Sequence, residues 1–185
     1  MIRVLGLFIC LIPIAVNAEP FKEASPESLL QATKQMNALD KAILDGIDVL
    51  KSGKLKSVSA HSKYFSSLVK TGENLFGASV LEPLGNCFAA GVYAQSWWSA
   101  QLSAAFNKGV ETIPGSIKDA LNQYHADRVE CLKWADPVAS TKANAESDAE
   151  LKKMFGGGKE CLKSYRFDPV SKETIEIPMA DHCKN

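Results

Sequence analysis

The side chains of this chain best suited to chemistry are its cysteines and histidines. Cys87 stands in Gly85-Asn86-Cys87-Phe88-Ala89-Ala90-Gly91, near the start of an apolar helical pattern. A cysteine at a helix N-terminus can carry a lowered pKa and attack as a thiolate. With His125 as general base, that pair would make a cysteine hydrolase. Met36, His61 and His125 each fall on a helical stripe. Two facing helices could set Met36 and His125, or the two histidines, on either side of a haem iron. The third use of sulfur is structural. Cys87, Cys131, Cys161 and Cys183 can pair as disulfides, and a thiol so bonded attacks nothing.

Spacing separates these chemistries. The sequence holds no CxxC, no CxxCH and no HxxxH, so zinc and covalently attached haem lack their usual ligand patterns. The glycine-rich surroundings of Cys87 distantly resemble the nucleophile segment of the NlpC/P60 cell-wall peptidases, which would imply a peptidase or amidase. The acid-Cys-Ser-Gly core of that motif is absent, and His125 falls in a helical pattern rather than a strand. No GxSxG is present, and the carboxylates are scattered over polar faces, so no acid/base pair stands out. Gly156-Gly157-Gly158-Lys159 lacks the GxxxxGK[ST] pattern and a preceding strand, and reads as a connector. Lys51, Lys54 and Lys56 read as a solvated loop, and His182 as an exposed residue near the terminus. No catalytic, cofactor-binding or metal-binding residue is therefore nominated. Four sulfurs allow three disulfide pairings. Cys87–Cys131 would tie two helices together and Cys161–Cys183 would close the tail, and this is the expected pair.

Disulfides need an oxidising compartment, and the first residues suggest a route to one. Met1 to Ala18 combine a basic Arg3, an apolar run from Leu5 to Val16 and small residues at Val16-Asn17-Ala18. That is the pattern of a signal peptide cleaved near Ala18, shorter than the ~20 apolar residues of a membrane anchor. Cys10 would leave with it. The expected location is the periplasm or the exterior, with no stable membrane insertion. In the full chain of 185 residues, Lys+Arg 21 balance Asp+Glu 21. A nucleic-acid binder needs a basic face, so that class is set aside. Apolar residues at 46% and charged residues at 23% describe a globular chain and exclude a disordered one.

The elements that must position these residues are mostly helices. Ser25-Pro26 begins the first, with Leu29, Ala32, Met36, Leu39, Ile43, Gly46 and Leu50 on one seam and Gly53 at its end. A second is expected from about Ser57 to Phe76, with His61, Phe65, Leu68, Gly72 and Leu75 on one face. The third, about Pro83 to Phe106, is the most apolar and is placed at the centre. The fourth is expected to start at Ser116, with Asp119 completing a capping box, and to end at Asp136-Pro137. A short, polar fifth covers about Thr141 to Phe155. Tyr165-Arg166-Phe167 and Thr174 to Ile177 read as two short strands around a turn. The fold class is all-α: a bundle of four main helices plus a short fifth, one domain over residues 19–185, with residues 156–185 as a disulfide-closed tail.

Adjacent helical positions lie about 100° apart. Trp97 and Trp98 therefore either point one ring inward and one outward, as an anchor for a partner, or both sit in a helix surrounded on all sides. The layout of leader, small helical bundle, two disulfides and no active site resembles in outline the periplasmic immunity proteins paired with contact-delivered bacterial effectors. That resemblance implies a non-enzymatic binder of an exported toxin or hydrolase. The expected contacts are the outward tryptophan of Trp97/Trp98 and the tail turn, through Arg166, Asp168, Lys172 and Glu173. Competing readings are a haem or small-molecule carrier, an envelope chaperone or stress protein, and the Cys87 hydrolase.

Overall fold

The structure is a computed structural model that describes residues 20–79 and 81–183. The leader expected over residues 1–18 lies outside the described residues. Five helices follow in order: α1 (Pro26–Ser52), α2 (Leu55–Phe76), α3 (Gly85–Phe106), α4 (Ser116–Ala135) and α5 (Pro137–Phe155). A 3-10 turn (Lys159–Cys161) leads into an antiparallel hairpin of β1 (Ser164–Phe167) and β2 (Thr174–Ile177). Among the described residues no helix is long and apolar enough to cross a membrane.

Helix α1 begins as its sequence dictates. The Ser28 N–H donates to Ser25 Oγ at 3.0 Å and the Ser25 N–H to Ser28 Oγ at 2.8 Å, a reciprocal cap, with Pro26 in the first turn where no N–H is needed. Gly53, left-handed at φ 63°, closes the helix. The seam Ala32, Met36, Leu39 and Ile43 is buried, and its ends Leu29 and Leu50 are half-buried. In α2 the buried set is Val58, His61, Phe65, Leu68, Gly72 and Phe76, a three-four repeat along one face.

Helix α3 packs against α1, α2 and α4 at once. Cys87, Ala90, Ala94, Trp97 and Trp98 are all buried, on more than one side of the helix. Small residues let α2 come close, so that a Cβ on Gly91 would meet the Val69 backbone at 3.6 Å. On the opposite side Cys87 bonds to Cys131 of α4, with the two Cα atoms 4.6 Å apart. Closing that 44-residue separation removes about 4 kcal/mol of unfolded-chain entropy in the loop-closure picture.

One cap and one boundary differ from expectation, although α4 starts at Ser116 as its sequence suggests. Ser116 does not cap α4: Gly115 occupies that position without a side-chain bond. The orphan donors are met by Glu111, whose carboxylate accepts from the Gly115 N–H and, at 3.1 Å, from the Ile117 N–H. Helix α5 starts at Pro137 instead of near Thr141 and runs 19 residues, so it is not short. Asp136 ends α4 and caps α5 in the same stroke, its carboxylate accepting from Val138 N–H at 2.8 Å. Ser140 is the one buried residue described in α5, which leaves this helix outside the four-helix core.

Candidate functional site

The tryptophan pair belongs to the core. Trp97 and Trp98 are each only 2% exposed, which corrects the expectation that one of them faces a partner. The reason is the multiply covered position of α3. Trp98 stacks on Phe65 at 5.8 Å between centroids, and its indole N–H donates to Ser62 Oγ at 2.8 Å. His61 packs edge-on against Trp98 at 4.7 Å and against Phe65 at 5.2 Å. Its Nε2–H donates to the Ala42 carbonyl of α1 at 2.9 Å. Gly46 is what permits this approach. A Cβ there would stand 3.1 Å from His61 Nε2 and 3.2 Å from the Trp98 ring.

The catalytic and haem readings lose their geometry here. Cys87 Sγ is bonded to Cys131, and both residues are fully buried, so Cys87 is no nucleophile in this state. His125 is exposed and rests on Tyr124, whereas Met36 is fully buried and His61 is committed to Ala42. The structure brings none of these pairs together around a common centre.

The C-terminal tail is where exposed functional groups gather. Cys161 and Cys183 are bonded, with Cα atoms 5.3 Å apart. Every residue of both strands is exposed, on both faces of the hairpin. The register pairs Tyr165 with Glu176 and Arg166 with Ile175. Tyr165 and Phe167 therefore lie on one face, and Arg166, Ile175 and Ile177 on the other. Lys163 Nζ reaches Glu176 Oε1 at 3.5 Å across the strands. At the tip, Asp168 Oδ1 accepts from the Val170 N–H at 2.9 Å, and that bond holds its carboxyl below the usual range. The Asp168 N–H in turn donates to the Glu173 carbonyl at 2.9 Å. Lys172 takes a left-handed conformation at φ 57° to close the turn. Arg166, Lys172 and Glu173 are thus presented outward, with Asp168 half-buried as the organiser of the turn.

Sequence reasoning passed over the neighbours of this staple. His182 Nε2 lies 3.3 Å from Glu160 Oε1, and both flank the Cys161–Cys183 bond. The adjacency of His182 and Cys183 was visible, but only the fold brings Cys161 and Glu160 to them. A separate polar cleft of about 730 Å³ opens between the N-terminal segment, the α2–α3 loop and the α4–α5 corner. Trp134, Asn86, Thr141 and Asn144 line it. Set against known protein families, curated proteins and solved structures, the chain matches none of them.

Proposed function

We propose that this chain is an exported, non-enzymatic binding protein of the immunity or inhibitor type, which neutralises a toxin or hydrolase reaching the same compartment, the periplasm in a Gram-negative host. The helices serve as a scaffold, and the hairpin of residues 164–177 is the contact element. One observation carries this reading: a hairpin closed at its base by Cys161–Cys183 stands exposed on both faces, with Tyr165, Phe167, Val170, Ile175 and Ile177 all open to solvent. An isolated two-stranded hairpin is barely stable in water, so a disulfide at its root is what keeps it ordered. A loop ordered in advance loses less entropy on docking, and exposed aromatic and aliphatic side chains supply the area that anchors a complex.

The test is genetic and direct. Deleting the gene should make native-host cells more sensitive to neighbouring cells that deliver exported effectors. Wild-type chain should restore protection. A chain carrying Arg166→Ala, Lys172→Ala and Glu173→Ala should fold normally and fail to restore it. A deletion strain no more sensitive than its parent, together with no exported enzyme or toxin retained on the purified protein, removes the proposal.

The cleft beside Trp134 supports a second reading, small-molecule carriage at the surface rather than inside the bundle. Trp134 is half-buried while Trp97 and Trp98 are sealed, so a ligand entering the cleft would change the emission of Trp134 alone. Loss of that change in Trp134→Phe would identify the site.

A further inference from the structure

The Cys161–Cys183 staple has neighbours that a purely structural cross-link does not need. One donor atom from each of Cys161, His182 and Cys183 lies within 4.8 Å of the others. Glu160 Oε1 lies 3.3 Å from His182 Nε2, just outside that group, and needs only a side-chain swing to serve as a fourth donor. Gly157 makes the convergence possible. A Cβ there would stand 2.5 Å from Cys161 Sγ, 2.7 Å from Glu160 Oε1 and 2.8 Å from His182 Nε2. The groups thus close on one backbone point that only glycine leaves open. Glu160 Oε1 also accepts from the Gly158 N–H at 2.8 Å. The other disulfide is different in kind, since Cys87 and Cys131 are fully buried among core side chains.

We infer that reduction of Cys161–Cys183 converts this cluster into a zinc site, with the two sulfurs, the His182 imidazole and the Glu160 carboxylate as ligands. Two thiolates, one imidazole and one carboxylate satisfy a four-coordinate zinc ion. A dithiol reductant, small molecule or protein, supplies two electrons and two protons as it closes its own disulfide. The Cys161–Cys183 bond breaks, and two thiols form. Zinc then displaces both thiol protons to solvent and binds the thiolates. The sulfurs move apart to about 3.7 Å, as tetrahedral coordination with Zn–S bonds of about 2.3 Å requires. Cys161 is buried and holds its place, while His182 is exposed and Cys183 half-exposed, so the movement falls on the terminal arm. The metal then roots the hairpin as the disulfide did. This inference is independent of what the hairpin binds.

The experiment uses the folded full chain, reduced anaerobically with a water-soluble phosphine that is then removed, and cobalt(II) as the probe. Thiol counting should find two more free sulfurs than in the oxidised chain. One equivalent of Co²⁺ should then give the visible and near-ultraviolet bands of tetrahedral cobalt–thiolate coordination, and Zn²⁺ should abolish them. The oxidised chain should give none. His182→Ala should weaken cobalt binding at least about tenfold, since even a group that merely supports a metal ligand is commonly worth that much. A reduced wild-type chain without these bands overturns the inference. So do bands that persist in a Cys161→Ser, Cys183→Ser chain, or that are unchanged in affinity by His182→Ala.

Discussion

Tyr124 on α4 donates its phenolic proton to Asp40 Oδ1 on α1 across 2.5 Å. The other carboxylate oxygen, Oδ2, accepts from Arg128 Nε at 3.1 Å and from a terminal guanidinium nitrogen at 3.0 Å. Tyr124 is fully buried, so its bond to Asp40 is shielded, whereas Arg128 and Asp40 remain about one-third exposed and their ion pair is worth little by itself. Burial, then the hydrogen bond to Asp40, push the Tyr124 phenol well above its usual pKa of 10.0. A raised pKa means the folded state holds the proton more tightly than the unfolded chain. The resulting stability is complete below pH ~10 and is lost as pH climbs above it. Tyr124→Phe should cost about 1.5 kcal/mol in urea unfolding at neutral pH, the value of a hydrogen bond to a charged group. It should also flatten the alkaline limb of the stability curve. An unchanged alkaline limb would count against the assignment.

Asp127 predicts a slope of the same sign, but in the acid range. It is 8% exposed, and its Oδ2 has no hydrogen-bond partner. Burial raises its carboxyl pKa, partly offset by a hydrogen bond from Gln123. The folded state again binds the proton more tightly, so this group favours folding at low pH and costs stability as pH rises through the carboxylate range. Asp127→Asn should therefore stabilise the protein by about 1 kcal/mol near pH ~7. The gain should vanish at about pH 3, where both forms are neutral. Urea titrations at the two pH values check this.

Gly46→Ala sets two effects against each other. Replacing glycine in a helix interior gains about 1 kcal/mol of propensity. The new methyl would press on His61 at 3.1 Å and on Trp98 at 3.2 Å. Neither ring can retreat freely, because His61 is tied to Ala42 and Trp98 to Ser62. Overpacking of this sort costs about 1–3 kcal/mol, so the net change should be destabilising, with the melting temperature lower by a few degrees. A rise in melting temperature would show that this side of the core is loosely packed.

The two disulfides should open in order. Cys161–Cys183 should yield to mild reductant with the helical circular-dichroism signal intact, since no helix of the bundle depends on it. Cys87–Cys131 should resist until the chain unfolds, because both sulfurs are enclosed. Thiol counts against reductant concentration, read beside the helical signal, test the order.

Much of this architecture was readable in the residues. The three-four spacing of Ala32, Met36, Leu39 and Ile43 marks the buried face of α1, because period alone decides which side of a helix is wet. The same logic failed at Trp97-Trp98, since three neighbouring helices cover α3 and leave wet only a narrow stripe through Tyr93, Ser96 and Ser99. The start of α4 at Ser116 was legible but its cap was not, because the capping carboxylate is Glu111, held in place by the course of a loop rather than by local pattern. The start of α5 was missed because Asp136-Pro137 was taken as a stop signal, although the same two residue types make a good N-cap and first turn. The tail disulfide could be inferred from cysteine count and position. Its companions Glu160, His182 and Gly157 could not, because they meet only once the chain has turned back on itself.

The sulfur bond at the root of the hairpin also decides what happens when the chain is cut. The tip carries Val170 at 91% exposure, and the exposed Lys172 offers an obvious side chain to a trypsin-like enzyme. Cleavage there would sever the peptide without freeing the fragment, because Cys183 still tethers the distal strand to Cys161. A protease that cut the loop would leave a nicked chain whose two strands stay covalently joined.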